Sequence, residues 1–250
     1  MSQIKRLDGR FDNQIRPIET EQGLLNKADG SAKFTQNKSS VLAAVYGPIE
    51  VKNPRKEKIL KSVVEVTFTP GLGNSSYQDK EKELLIRNAV ESVILTTLHP
   101  RTQITVVIQV YSDDGSIISC SINAVCLALL DAGIEMNGMI GSVTLSYQSI
   151  DNQDIFYFDP DLLEEIESKA VAIFAFGNNS NNIIMSKVEG KLTEDLYFLA
   201  IKNAREACDK IIAFMKLAVK NRIMGNEQQQ QQQQDQKIKK EEQQQDEAMK

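Results

Sequence analysis

The sequence predicts an α/β (α+β) protein with strands packed on helices, and three observations carry that prediction. Residues 103–111 form an apolar strand that ends in the turn Ser112-Asp113-Asp114-Gly115. The next stretch, 116–133, is small and apolar on nearly every face, from Ile117 and Ile118 through Cys120, Ile122 and Val125 to Leu129. A helix apolar all round belongs in the middle of a protein. Elsewhere, period-two strands such as Val64-Glu65-Val66-Thr67-Phe68 share the chain with amphipathic helices of 3.6-residue period.

In chain order, Asp8-Gly9 and Pro17 make residues 6–18 an irregular arm rather than a helix. A hairpin-like unit follows around Asp29-Gly30, then a buried strand from Ser39 closed by Gly47-Pro48. Residues 53–61 are a polar connection with four cations, Arg55, Lys56, Lys58 and Lys61. Two readings stay open for it: a solvated loop, or a mobile cationic loop that tracks an RNA phosphate backbone without reading sequence. The glycine-bearing loop 70–76 matches no phosphate-loop or dinucleotide fingerprint. Residues 79–98 read as an amphipathic helix, ended by His99-Pro100.

The apolar helix has candidate caps in Ser112, Asp113 and Ser116 and a stop at Gly133. Its start offers free N–H groups and a partial positive charge, so it reads either as an anion site or as a plain core unit. Residues 141–147 and 155–158 are strands around an Asp151-Asn152 turn. The segment 159–169 carries Asp159, Asp161, Glu164, Glu165 and Glu167, which could hold Mg²⁺ or, as the plainer reading, form a solvated acidic connection. Strands at 170–176 and 183–187 precede a last helix whose stripe runs from Leu196 to Ala218, with Gly225 as its expected cap.

The chain has 250 residues, 41% hydrophobic and 25% charged, with a net charge of −5, an ordinary globular balance. Residues 225–250 are glutamine, lysine and glutamate with almost nothing apolar, and are expected to form a disordered tail beside a domain of residues 1–224. Without that tail the chain keeps 25 Lys+Arg and 28 Asp+Glu, so any RNA contact is a local patch or is shared with partners. The three cysteines, Cys120, Cys126 and Cys208, have no metal-ligand spacing and suit a reducing compartment. No signal segment or membrane-length apolar run is visible, which predicts a cytosolic or nuclear protein without membrane contact. His99 is the sole histidine, so no second one is available for a nucleophile–base relay.

Three stretches resemble the ribonuclease PH family, and in particular its eukaryotic exosome ring subunits. They are Leu7-Asp8-Gly9-Arg10 with Ile15-Arg16-Pro17, the Gly30-Ser31-Ala32 and 39–48 segments, and the pair 98–107 and 112–133. The resemblance implies a fold like domain 2 of ribosomal protein S5, with mixed sheets packed against helices. Phosphorolytic members carry Asp-Gly-Gly-Thr-Arg-Thr-Ala-x-Ile where this chain has 114–122, which puts Ser116 in the loop and Ile118 at the phosphate-gripping arginine. Their helix motif Arg-Leu-Ile-Gly-Arg-Ser falls on 84–89, so Leu84 and Asn88 replace both arginines and Arg87 stands one residue off, able to touch RNA. Their metal and acid positions fall on Glu165 and Lys169.

Isoleucine cannot hold phosphate as a guanidinium fork does, and lysine opposes a cation. The resemblance therefore implies no catalytic residues, no cofactor and no metal. It implies a six-subunit ring of related chains under three S1/KH caps, threading RNA past the 53–61 loop to a separate nuclease in 3′-to-5′ processing and decay. Nucleus, nucleolus and cytoplasm are the compartments it implies. The alternative is an active phosphorolytic or metal-dependent 3′–5′ exoribonuclease.

Overall fold

A computed structural model describes residues 6, 8–73, 75–150, 153–179 and 182–248. Within them lie strands β1 (Ile18–Gln22), β2 (Gly30–Gln36), β3 (Ser39–Glu50) and β4 (Val63–Thr69), helix α1 (Tyr77–Val93) and strand β5 (Thr102–Ser112). Helix α2 (Ile117–Asp131), strands β6 (Ile140–Ile150) and β7 (Gln153–Phe158) and helix α3 (Leu162–Glu167) follow. Strands β8 (Ala170–Gly177) and β9 (Ile183–Gly190) and helix α4 (Glu194–Ala248) complete the order. The Asp151-Asn152 turn lies outside the described residues.

Two sheets form, one in the order β1-β2-β3-β5-β4 and one in the order β7-β6-β8-β9. Every pairing is antiparallel except β4 with β5, where α1 supplies the crossover that a parallel pair needs. This mixture of parallel and antiparallel pairing is the α+β architecture expected.

Helix α2 lies against strands of both sheets, packing on β2 and β3 of the first and β6 and β8 of the second. Thirteen of its fifteen residues are buried, which is why it carries no polar face. Its few polar side chains stitch it to β6. Asn123 donates to the Ser142 carbonyl at 3.0 Å and accepts from the Ser142 N–H at 2.9 Å, and Ser119 Oγ meets Thr144 Oγ1 at 2.8 Å. Buried polar groups satisfied in this way cost little and fix one register. Strand β2 approaches α2 so closely that a Cβ at Gly30 would stand 2.3 Å from the Ala128 carbonyl oxygen.

Three expectations are corrected. Helix α1 begins earlier, because Ser76 and Asp79 form a reciprocal capping box. It also ends at Val93, since Ile94 turns extended and bridges to Met136. None of Ser112, Asp113 and Ser116 caps α2 through its side chain: Ser116 is in the left-handed region, and its hydroxyl donates to the Pro160 carbonyl at 3.1 Å.

The chain divides into two compact units, residues 1–212 and 213–250. In the second unit, α4 continues through the glutamine tract to Ala248. Gly225 does not stop it: glutamine, glutamate, lysine and alanine are good helix formers and no proline intervenes. No helix among the described residues is long and apolar enough to cross a membrane.

Candidate functional site

The turn between β5 and α2 is where the site is built. Gly115 has φ +82°, and a Cβ there would stand 2.7 Å from the Pro160 carbonyl oxygen, so only glycine lets the segment entering α3 cross the start of α2. That segment is the acidic one, and it is not a solvated connection. Asp159 is 1% exposed and grips the fully buried guanidinium of Arg16, with Nη2 to Oδ1 at 2.6 Å and Nε to Oδ2 at 2.9 Å. Arg16 also donates to the carbonyls of Asp114 at 2.8 Å and Gly115 at 3.2 Å, tying the N-terminal arm to the turn itself.

Arg6 pairs with Glu164, and Arg10 reaches Asp161 at 3.4 Å. Three arm arginines thus bind three of the five acids before and in α3. Burial raises the Asp161 carboxyl above its ordinary range. Burial acts the same way on Glu164, but the Arg6 guanidinium, the Asp161 N–H and Arg10 together outweigh it and hold that carboxyl low.

Glu165, the next residue, points the other way. Its Oε1 accepts the Ser116 N–H at 2.7 Å, so a carboxylate of the chain's own sits at the start of α2, where an anion would bind. Burial pushes Glu165 up to about 7, with Asp113 and Asp159 adding to the rise and the Ser116 N–H and Arg16 opposing it. Beside it opens a cleft of about 360 Å³. Ser116, Ile118 and Glu165, three of the positions that the resemblance singled out, line that cleft, and Ile118 presents a branched hydrocarbon to it.

The other predicted residues are elsewhere. Leu84 (46% exposed) and Asn88 share the Glu81 side of α1 but stand about one and two turns beyond the cleft. The α1 wall is instead Gln78, Glu81 and Lys82, residues the sequence did not single out. Lys169 is exposed and does not line the cleft; the cation contributed from the second sheet is Lys187 of β9. Lys187 Nζ is held by Glu81 at 3.0 Å and Glu189 at 2.7 Å. Among the described residues no group of three or more metal-ligating side chains is placed to hold an ion.

The cationic loop is a separate surface. It carries a single 3₁₀ turn (Pro54–Lys56), and Arg55, Lys56, Lys58 and Lys61 are all exposed. Lys56 pairs with Glu65 at 2.5 Å and Lys58 with Glu91 at 2.9 Å. Glu91 is four residues along α1 from the exposed Arg87, so Arg87 faces the same side as the loop. Arg101 joins them, its N–H donating to the Lys58 carbonyl at 3.3 Å and its guanidinium lying 3.8 Å from Glu57. Nothing in the local sequence of Arg101 announces this; the chain must fold to bring it there.

A fold of two such sheets around one buried helix is that of the 3′ exoribonuclease family, also called ribonuclease PH, and this chain belongs to it. The family's domain 1 matches residues 14–135 and its domain 2 matches 138–207, which correspond to the first sheet with α1 and α2 and to the second sheet. Among its relatives is the exosome complex exonuclease RRP46 homolog of Arabidopsis thaliana, 33% identical over 86% of this chain and 95% of that protein. The exosome complex component RRP41 homolog of the same plant is 33% identical over 82% of this chain and 88% of that protein. The crystal structure of rice (Oryza sativa) Rrp46 superposes with a TM-score of 0.78 at 34% identity, covering 84% of this chain and 98% of the rice chain.

Proposed function

We propose that this chain is a non-catalytic ring subunit of an RNA exosome. It would build the channel wall past which RNA is threaded for 3′-to-5′ processing and degradation elsewhere in the complex. One observation carries the absence of catalysis: the start of α2 is occupied by the Glu165 carboxylate, with Ile118 beside it. Phosphorolysis needs a held phosphate and groups that stabilise negative charge developing at the scissile ester. Here a carboxylate repels the reagent, and the cleft's two lysines are already claimed by acids, Lys187 by Glu81 and Glu189 and Lys82 by Asp79 at 3.4 Å.

The ring role is supported by likeness to chains named as an exosome complex exonuclease and an exosome complex component, over 95% and 88% of their lengths. Its partners would be other ribonuclease PH-like ring subunits, S1/KH caps, RNA and an associated nuclease. The RNA contact would fall on Arg55, Lys56, Lys58, Lys61 and Arg87, and the compartments would be nucleus, nucleolus and cytoplasm. Mass spectrometry of a native pull-down tests this: sister ring subunits and S1-domain caps are expected, and their absence from a stable, soluble bait overturns the reading.

A further inference from the structure

The cleft beside Ile118 has changed sign as well as lost its phosphate grip. Four carboxylates line it, Glu81, Asp113, Glu165 and Glu189, against two ammonium groups, Lys82 and Lys187. Both lysines are compensated, Lys187 by two of those acids and Lys82 by Asp79, with its Nζ also 5.3 Å from the centre of the Phe68 ring. Asp113 and Glu165 are not: each accepts one backbone N–H, from Gly115 at 3.2 Å and Ser116 at 2.7 Å, and neither has a cationic partner among the described residues within ion-pair distance.

The remaining wall is aliphatic, with Ile118 of α2, Ile166 of α3 and Ile173 of β8. At its rim α3 exposes Ile166 (72%) and, just outside, Leu163 (63%), an apolar shoulder next to an acidic opening. A volume of about 360 Å³ is within the usual range of ligand sites.

We propose that this cleft is a receptor for a cationic side chain, an arginine or lysine carried on an apolar segment of a neighbouring polypeptide. The methylene stem would lie on Ile118, Ile166 and Ile173, the charged head would pair with Asp113 and Glu165, and the flanking apolar residues would cover Leu163 and Ile166. The family's phosphate locus becomes a socket of opposite charge. This deepens the ring-subunit reading and rests on it, since the socket is free only if no phosphate is held there. RNA is disfavoured at the socket by the same acids that favour the cation.

The charged groups facing Glu165 are Asp113 from the β5–α2 turn, Asp159 after β7 and Arg16 from the arm. Across the cleft stand Glu81 and Lys82 of α1 and Lys187 and Glu189 of β9. The sole histidine, His99, pairs with Glu135 and does not line the cleft.

The test is a methyl NMR titration of the full chain with acetyl-Leu-Arg-Leu-amide, acetyl-Leu-Glu-Leu-amide and inorganic phosphate at pH 8 and pH 6. The arginine peptide is expected to shift the Ile118, Ile166 and Ile173 methyls saturably. Glu165 titrates at about 7 while arginine stays charged, so affinity should fall about tenfold from pH 8 to pH 6. Glu165→Gln should weaken binding at pH 8 and abolish the pH dependence, and the glutamate peptide and phosphate should leave these methyls unmoved. Saturable phosphate binding at these methyls, equal binding of the two peptides, or no shift with the arginine peptide overturns the proposal. A failed titration alongside an intact ring pull-down rejects the socket alone, whereas loss of the ring partners rejects the function it rests on.

Discussion

Replacing Arg16 by alanine should unfold this protein more readily than almost any other single change outside the apolar core. Its guanidinium is fully buried and makes two charge-assisted bonds to Asp159, which is itself 1% exposed, and two more to the carbonyls of Asp114 and Gly115. Asp159 raises the Arg16 pKa in spite of burial, so the cation is the resident form. Truncation leaves the Asp159 carboxylate buried without its partner, and breaking a buried pair in this way typically costs about 3–5 kcal/mol.

A urea slope of about 2.5 kcal/mol per molar suits a unit of this size, so the midpoint should fall by about 1.2–2 M with little change in slope. The double variant Arg16→Met/Asp159→Asn should recover part of the loss, because the uncompensated charge goes while asparagine tolerates the left-handed backbone at this position (φ +51°) and can still accept the Arg16 backbone N–H. The assay is equilibrium urea unfolding followed by circular dichroism. A loss below about 1 kcal/mol for Arg16→Ala, or no recovery in the double variant, would refute the claim that this pair fastens the arm to the β5–α2 turn.

The folded pKa of Glu165, about 7, exceeds the ordinary carboxylate value of 4.5. Its contribution to stability is therefore fully present below pH 4.5 and is lost as pH rises through 7, a change on the order of 3 kcal/mol. Glu165→Gln should flatten the fall in the urea midpoint between pH 5 and pH 8, and an unchanged slope counts against Glu165 as the titrating group. Gly30→Ala puts a methyl into the backbone of α2 and should cost about 3 kcal/mol in the same assay, with a near-neutral result showing that β2 can retreat. Charge reversal at Arg55, Lys56 and Lys58 should weaken RNA binding by the assembled ring and flatten its dependence on salt concentration. Unchanged filter-binding curves rule out an RNA role for that loop.

The large features were legible because they rest on local pattern. The burial of α2 follows from its apolar residues on every face, and the stop at Gly133 (φ +69°) from the glycine itself. Ile118 lines the cleft, a position that the apolar run after Gly115 does not announce by itself. What stayed hidden depends on contacts more than a hundred residues apart in sequence. A run of acids at 159–167 reads as solvated until the arm's Arg6, Arg10 and Arg16 arrive to bind it. Leu84 and Asn88 lie on the Glu81 side of α1, but only the packing of that helix shows that its cleft wall ends with Glu81 and Lys82. The start of α1 was misplaced for a different, local reason: the capping box between Ser76 and Asp79 begins the helix before the periodic stripe does.

The central claim is that the chain's own carboxylate holds the place of the attacking phosphate, and the most direct measurement is of the reaction itself. Purified protein incubated with oligo(A), inorganic phosphate and Mg²⁺ is expected to release no nucleoside diphosphate above a protein-free blank, at pH 6 as at pH 8. Phosphate-dependent release that follows the protein through purification would contradict it.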